Sequence, residues 1–238
     1  MKKLLLFSLL MLTSFSMAKA NVVVIGDGTD DVVSDALPTS ARYEYSLSQQ
    51  LYTGAEIGAS GAINSIAFYK YNEGSVTRTL DIYMALTDKT AFTGANDWAY
   101  VDESHKVFSG SVTFNSGEWT TIPLAVPFEY WDRQNLVITI DDNSGDYSAN
   151  KVYFRTMNAT DASIFLHSED TDYQPTTDLS SYSGTIVSQK PQMQLDITPI
   201  GKDVVKIGGG TRTSSFLPAN RECKYGLTQQ IYTVDELG

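Results

Sequence analysis

The segment with the clearest potential for metal chemistry directly follows the apolar run NLVITI at residues 135–140. Its oxygen-bearing side chains belong to Asp141, Asp142, Asn143 and Asp146. Calcium takes six to eight such oxygens, so this loop is a candidate calcium site, although its spacing is not that of an EF-hand. The alternative is that the Asp and Asn side chains only form the turn, by bonding their own backbone.

A second kind of candidate is an aromatic side chain in or beside a predicted loop. Such rings present an apolar face with a polar tip, which suits stacking on sugar rings or peptide side chains. The residues concerned are Trp98, Tyr100, Trp131, Tyr147 and Tyr173. The alternative for each is packing at the rim of the core, because 14 tyrosines are too many for all of them to contact a ligand.

Catalytic motifs are missing from the sequence. The two histidines, His105 and His167, have no neighbours typical of a catalytic setting, and no serine lies in a GxSxG turn. No HExxH zinc motif, P-loop or GxGxxG phosphate-binding turn occurs. Two of the 28 acidic residues at a suitable separation would be enough for a glycosidase. The sequence therefore predicts no catalytic residue, and a hydrolase remains only an alternative.

The amino terminus has the features of a secretory signal peptide. Basic Lys2 and Lys3 precede an apolar run, and the small residues Ala18 and Ala20 follow it. We expect cleavage after Ala20, so that residues 1–20 are removed and the rest of the chain is exported. The apolar run is well short of the roughly 20 residues of a membrane-spanning helix, and no later segment approaches that length.

Removal of the signal peptide leaves a strongly acidic protein. It takes away three lysines and no acidic residue, so 14 basic and 28 acidic side chains remain, with a formal charge of −14. Nucleic acids bind through clustered lysine and arginine, so this composition excludes them as partners. The single cysteine, Cys223, allows no internal disulfide. Burial of apolar side chains must therefore hold the core together.

A long internal repeat determines the domain organisation. Residues 22–58 recur at residues 204–238, and between Leu37 and Gly58 ten of the 22 positions are identical after an offset of 180. A unit of this length far exceeds a solenoid repeat of about 20 to 50 residues, so each copy is expected to be a whole domain. We predict one domain at residues 21–200 and an incomplete second repeat at residues 201–238, with further copies in the full-length chain.

The hydrophobic pattern predicts strands through most of the repeat. Apolar residues recur at every second position within residues 80–86 and 136–140, which is the period of a half-buried strand. Residues 48–58 are expected to be a strand that leads into a short turn at GAEIG. Further strands are predicted at residues 63–71, 107–114, 119–126, 152–156, 163–167 and 193–198. The aromatic residues expected in the core are Phe68, Tyr83, Phe114 and Trp119.

About nine or ten strands favour an all-β fold, an antiparallel two-sheet sandwich of jelly-roll type. The alternative is a pair of immunoglobulin-like domains, which needs a boundary near residue 110. That boundary would cut residues 107–126, where two predicted strands look like one hairpin closed by Asn115 to Glu118. Long irregular connections are predicted at residues 88–98 and 169–190.

The chain resembles β-sandwich repeats of large exported surface proteins of Gram-negative bacteria, and is similar to the cleaved-adhesin domains of gingipain-type proteases and haemagglutinins. The resemblance covers residues 22–200 and part of 203–238. It is carried by the segments LPTSARYEYSLSQQLYTGAEIG, GAINSIAFYKYN, TRTLDIYMALTDKTAF, DWAYVDESHKVFSGSVTFNSGEWTTIPLAVPFEYW and NLVITIDDNSGDY. It implies jelly-roll domains that serve adhesion or substrate binding, often beside a catalytic domain and ahead of a type IX secretion signal.

Three functions remain open from the sequence. The leading hypothesis is a non-catalytic adhesion or ligand-binding module of a multi-repeat protein, secreted or held at the outer cell surface, because tandem copies raise avidity. The second is a carbohydrate-binding accessory domain of a secreted hydrolase or protease. The third is a hydrolase in its own right. The expected partner is an extracellular glycan or protein, and calcium is the one cofactor that the sequence suggests.

Overall fold

The computed structural model describes residues 21–29, 32–131 and 134–199. Antiparallel β-strands dominate this part of the chain, and its single α-helix, α1 (Gly54–Ile57), is one turn long. The strands are β1 (Asn21–Ile25), β2 (Val33–Ser34), β3 (Tyr45–Tyr52), β4 (Gly61–Lys70), β5 (Val76–Thr87), β6 (Lys106–Phe114), β7 (Glu118–Tyr130), β8 (Asn135–Asp142), β9 (Phe154–Ser168), β10 (Thr185–Pro191) and β11 (Met193–Thr198). The prediction of an all-β antiparallel fold is confirmed.

The strands form two groups that β9 connects. Group A has the order β1-β11-β4-β7, and group B has the order β10-β9-β3-β8-β5-β6. One residue pair, Lys70 with Phe154, joins β4 of group A to β9. All of these pairings are antiparallel, and the arrangement is consistent with a β-sandwich.

The main hydrophobic core draws one face from each group. Group A contributes Ile66, Phe68 and Leu195, and group B contributes Ile82 and Ile138 to the same cluster. These residues lie at every second position of their strands, because successive side chains of a strand point to opposite faces. Each group therefore has an inner face in this core and an outer face directed away from it.

The outer face of group B is covered by two long connections. Residues 88–105 join β5 to β6, and residues 169–184 join β9 to β10. Buried residues of the first connection, such as Phe92 and Val101, pack on Val137 and Ile164 of the strands. The two connections thus add a third layer, which the sequence pattern did not indicate.

Several predicted strands match the structure closely. The strand predicted at residues 193–198 is β11, and the segment 48–58 is a strand that leads into α1, as expected. Phe68, Tyr83 and Phe114 are buried, which confirms their assignment to the core. Strong alternation of large apolar residues in a buried strand is the feature that these correct predictions share.

The predicted hairpin at residues 107–126 is wrong. Strand β6 pairs with β5 in group B, whereas β7 pairs with β4 in group A. The turn between them is held by β4, because the N–H of Gly117 donates to the carbonyl of Lys70 at 2.9 Å and the Tyr69 hydroxyl donates to the Gly117 carbonyl at 2.7 Å. The chain therefore crosses between the groups at this turn.

Two strand boundaries also differ from the prediction. The strands predicted at residues 152–156 and 163–167 are one strand, β9, which continues through residues 157–162 between them. A register shift between Val187 and Gln189 accompanies the positive φ of 45° at Asp161. Ser188 fixes this irregularity by donating from its hydroxyl to the Asp161 carboxylate at 2.9 Å. The strand that pairs with β9 here is β10, which overlaps the end of the connection predicted to be irregular, residues 169–190.

Trp119 is the one aromatic residue whose predicted core position is wrong. It pairs with Tyr69 across β7 and β4, and the two rings meet edge to face at 5.6 Å. Ile122 is buried in the core, so the alternation of the strand directs Trp119 to the outer face of group A. Its indole is only half-buried there.

Three sequence-based predictions lie outside the described residues or at their limit. The signal peptide at residues 1–20 and the incomplete second repeat at residues 201–238 lie outside them. The described residues belong to one compact unit, which is divided from the rest of the chain between Ile200 and Gly201. A search of the described residues finds no helix with the length and hydrophobicity needed to cross a membrane.

Candidate functional site

The candidate site lies in the loop layer, which residues 88–105 and 169–184 form over the outer face of group B. Its two connections are tied together by Asn96, whose side-chain amide donates to the carbonyls of Ser180 at 2.9 Å and Tyr182 at 3.0 Å. The N–H of Gly184 donates to the carbonyl of Ala95 at 2.7 Å. These bonds join segments far apart in sequence, so the layer has one defined arrangement.

Gln49 fastens this layer to the strands beneath it. Its side-chain carbonyl accepts from the N–H of Ala99 at 2.7 Å, and its amide donates to the carbonyl of Ala99 at 2.8 Å. A third bond runs from the same amide to the Thr139 hydroxyl at 3.1 Å. Gln49 is fully buried in β3. Its side chain thus supplies hydrogen-bond partners for both the N–H and the carbonyl of the buried Ala99.

A groove of about 180 Å³ lies between the two connections, and we refer to it as the loop groove. It is lined by Asn96, Trp98, Ala99, Tyr100, Val101, Pro175, Thr177, Asp178, Leu179 and Ser180. The lining combines two aromatic rings with amide, hydroxyl and carboxylate groups. Such a mixture provides stacking surfaces and a few polar groups that orient a ligand.

Tyr100 is the most exposed aromatic residue of the loop groove. Its side chain is 75% exposed, and its hydroxyl donates to the Asp102 carboxylate at 3.1 Å. This hydrogen bond, followed by the negative charge of Asp102, raises the pKa of the Tyr100 hydroxyl. The edge of the ring meets His105 with centroids 6.4 Å apart. Tyr100 is thus oriented by two neighbours while its ring remains open to solvent.

Trp98 and Tyr173 have a more structural position in the same layer. The indole N–H of Trp98 donates to the carbonyl of Tyr182 at 3.0 Å, and its ring packs on both small hydrophobic clusters of the layer. Tyr173 packs edge to face on Tyr182 at 5.2 Å. The close approach of Gly184 to Trp98 and Ile164 leaves no room for a β-carbon, which would lie 2.6 Å from each side chain.

The other two aromatic candidates lie apart from the loop groove and from each other. Trp131 follows β7 shortly before β8 begins, and Tyr147 lies shortly after β8 ends. The eight residues of β8 span roughly 25 Å, so these rings sit near opposite ends of one strand. Tyr147 lines a separate hollow with Arg42 and Glu169. The five aromatic candidates therefore form no single patch.

The acidic loop, residues 141–146, was the candidate calcium site. Hydrogen bonds to an arginine hold it in place. The buried guanidinium of Arg78 pairs with Asp142 at 2.7 Å, and also donates to the carbonyls of Asp146 at 2.6 Å and Tyr43 at 2.7 Å. Asp142 further accepts from the N–H and hydroxyl of Ser144 at 3.2 and 2.5 Å, and from the hydroxyl of Thr39. Its lone pairs are thus occupied within the protein.

The remaining residues of the acidic loop do not converge with Asp142. Asp141 precedes it in β8 and points to the other face of the strand, where it accepts from the Asn143 amide at 3.2 Å. The Asp146 carboxylate accepts from the N–H of Tyr147 at 2.7 Å. This geometry fits the turn alternative. Among the described residues, no group of three or more His, Cys, Asp or Glu side chains is placed to hold a metal ion.

Asp141 has the most strongly shifted pKa of the described carboxylates. Burial raises its pKa to about 8, with further contributions from the negative charges of Asp172, Asp81 and Asp142. A carboxyl with such a pKa is a candidate proton donor or acceptor in an enzyme. Asp141 is only 2% exposed, however, and it lines none of the grooves described for this chain.

The two histidines are held by local contacts. His105 Nδ1 accepts from the N–H of Asp102 at 3.1 Å and lies 2.9 Å from the Asp102 carboxylate. His167 stacks on Tyr43 with centroids 3.6 Å apart, and burial lowers its pKa. Within the described residues, neither histidine hydrogen-bonds to a serine hydroxyl. Their surroundings provide no activated nucleophile.

Several residues of β3 and the start of α1 that are identical 180 positions later in the sequence have structural contacts. Besides Gln49, Gln50 donates to the Ser48 hydroxyl at 2.6 Å, and the buried Tyr52 donates to the carbonyl of Pro191 at 2.9 Å. Thr53 and Glu56 form a reciprocal capping box at the start of α1. The identity of these residues in both copies was the available sequence signal for Gln49, but sequence alone gives no partner for it.

Comparisons with known proteins add no family to this picture. No protein-family model matches the chain. No curated protein is significantly similar to it.

Proposed function

We propose that this chain is a non-catalytic ligand-binding module of an exported, multi-repeat surface protein that serves adhesion. In this proposal the strand groups are the two sheets of a jelly-roll-like sandwich, and the residues after 200 begin a second copy. The ligand occupies the loop groove. The observation that carries the proposal is the exposed ring of Tyr100, which is held in a defined orientation. The Gln49 side chain fixes its loop to the strands by two hydrogen bonds to the backbone of Ala99.

The rigidity of the loop layer supports binding at this place. A loop that is already ordered loses little conformational entropy when a ligand arrives, which favours affinity. The segment around Tyr100 is ordered by the bonds between Gln49 and Ala99 on one side and by the hydrogen bond from the Tyr100 hydroxyl to the Asp102 carboxylate on the other. Repetition of the module would then raise the avidity of the whole protein for a surface that displays many ligands.

The absence of catalysis in this proposal rests on where the titratable groups lie. Asp141 is buried beneath the loop layer, and the described histidines pack on neighbouring side chains. The loop groove contains one carboxylate, Asp178, which accepts from the N–H of Ser180 at 2.9 Å and whose pKa these contacts to Ser180 lower. A single ionised carboxylate does not provide the acid and base pair of a glycosidase.

A carbohydrate-binding accessory domain is the second candidate function. The specific observation in its favour is the composition of the loop groove, in which Trp98 and Tyr100 lie beside Asn96, Thr177 and Asp178. Aromatic faces with neighbouring amide and carboxylate groups suit the apolar faces and hydroxyls of a sugar. This function uses the same groove and differs from the first only in the ligand.

The test is a binding screen of the secreted protein on arrays of glycans and extracellular matrix proteins. Tyr100→Ala should reduce binding of the best ligand about tenfold or more, because loss of a buried aromatic contact typically costs 1 kcal/mol or more. Tyr147→Ala is the matched control, since that ring is 58% exposed at a separate hollow. Equal losses in both variants, or no ligand of either class, would contradict the proposal.

A further inference from the structure

The outer face of group A differs from that of group B because, within the described residues, only strand residues line its groove. It carries a second groove of about 180 Å³, which we call the sheet groove. The groove is lined by Val22, Ser65, Ala67, Thr121, Gln194 and Asp196. These residues come from all four strands, and the register places Asp196 between Val22 of β1 and Ser65 of β4.

Asp196 lacks a partner in this groove. Its Oδ1 atom is buried and accepts no hydrogen bond, and no lysine or arginine of the described residues forms an ion pair with it. A buried acceptor without a donor costs free energy that protein structures rarely leave uncompensated. Asn64 does not serve as the donor, because its amide bonds to the Thr198 hydroxyl at 2.8 Å. A donor from outside the described residues would remove this cost.

The walls of the sheet groove indicate what kind of donor fits. Val22 and Val24 of β1 are 62% and 51% exposed, so they present an apolar edge beside the carboxylate. Ser65, Ala67 and Thr121 are small and leave space above the strands. A side chain with an aliphatic stem and a cationic head satisfies both features, with the stem on the valines and the head on Asp196. A divalent ion does not, because one carboxylate is too few ligands.

The second repeat offers an internal comparison for this reasoning. Residues 22–29 align with residues 204–211, and Lys206 stands at the position of Val24. Val24 pairs with Gln194, so it is a diagonal neighbour of Asp196 on the same face. Diagonal neighbours lie about 7 to 8 Å apart, within reach of a lysine. A lysine at position 24 would therefore donate to Asp196 from within the domain and fill the sheet groove.

We propose that the sheet groove binds a lysine or arginine side chain of a partner polypeptide, with Asp196 as its acceptor. The net formal charge of −11 favours the approach of such a basic partner. The site is separate from the loop groove, so this inference does not depend on the proposed function. It gives the module a second contact surface on the opposite side of the fold.

The test is calorimetric titration of the full chain, at near-physiological salt, with an extended threonine peptide that carries two lysines. The comparison peptide has norleucine in place of lysine. We expect the lysine peptide to bind and the norleucine peptide to bind about tenfold more weakly or not at all. Asp196→Asn and Val24→Lys should each weaken the lysine peptide by about tenfold or more, the first by removing the acceptor and the second by occupying it.

A control variant separates this site from the general attraction of an acidic protein for a basic peptide. Asp88→Asn removes one negative charge from an exposed position after β5, in group B, and should change the affinity less than about twofold because exposed charges are screened by salt. Equal binding by wild type, Asp196→Asn and Asp88→Asn would overturn the proposal, as would no binding by the wild type. Thermal unfolding of each variant verifies that it is folded.

Discussion

The two outer faces of this domain show how side-chain composition decides whether a β-sheet stays open. Group B presents Leu47, Leu51, Val137 and Ile164 on its outer face, and all of them are buried under the two long connections. Group A presents Ser65, Thr121 and Gln194 on its outer face, in a groove whose lining includes no residue of the connections that the structure describes. Apolar strands need a cover, whereas small polar side chains remain in contact with water at little cost.

The loop layer over group B also explains the position of the loop groove. A ligand-binding loop must be held in place, and the apolar outer face of group B supplies that support through Phe92, Ala99 and Val101. The described residues that line the groove of group A all belong to strands, so this groove lies directly on the sheet. The two proposed contact surfaces therefore differ in construction, one on ordered loops and one on a sheet face.

The largest expected effect on stability comes from weakening the packing of the loop layer at Trp98. Trp98→Ala should lower the free energy of unfolding by about 3 kcal/mol, because it removes packing from both clusters of the layer and one of the two donors to the Tyr182 carbonyl. Trp119→Ala is the matched variant on the open face and should cost about 1 kcal/mol, since its ring is half-buried against Tyr69. Urea unfolding of both variants measures the difference, and equal losses would show that the faces do not differ in this way.

A somewhat smaller loss of stability is expected when the hydrogen bonds that attach the loop layer to β3 are removed. Gln49→Leu should cost about 2 kcal/mol, because the N–H and carbonyl of Ala99 lose their partners in a buried position. The amide of Ala99 should also exchange its hydrogen faster, as the segment around it opens locally. Gln194→Leu on the open face is the control and should change stability by less than about 0.5 kcal/mol. Unchanged exchange at Ala99 would contradict the role assigned to Gln49.

The last expected effect depends on pH and concerns the carboxyl of Asp141, which is buried beneath the loop layer. With its pKa raised to about 8, Asp141 keeps a proton in the folded state that the unfolded chain releases near pH 4. Its contribution to stability is therefore favourable at low pH and declines as the pH rises towards 8. Asp141→Asn should be close to wild type at pH 4 and more stable by at least about 1 kcal/mol at pH 8. A stability difference that is the same at both pH values would show that Asp141 does not titrate in this way.

The sequence was most informative where a strand is buried on a face that alternates strongly. The pattern of Leu195 and Ile197 was enough to locate β11, because local periodicity alone determines such a strand. It failed for β10, whose seven residues, TIVSQKP, show no regular alternation of apolar and polar side chains and are held by pairing with the distant β9. It also failed at residues 107–126, since the two flanking strands look alike whether they pair with each other or with separate partners.

The candidate site was only partly accessible to sequence reasoning. Loop position and aromatic character identified Trp98 and Tyr100, which the structure places in one groove, but they gave no reason to separate Trp131 and Tyr147 from them. The acidic loop looked open because its partner, Arg78, lies more than 60 residues earlier in the chain. Contacts of this kind follow from the fold rather than from any local pattern, and so does the pairing of Gln49 with Ala99.

The most direct test of the account is to map the ligand found in the array screen onto the protein by amide chemical shifts. If the covered face carries the binding site, the largest changes should fall in residues 96–101 and 175–180, with little change in the open face of group A. Changes confined to other segments, such as the hollow beside Tyr147, would contradict the assignment of the ligand to the loop groove.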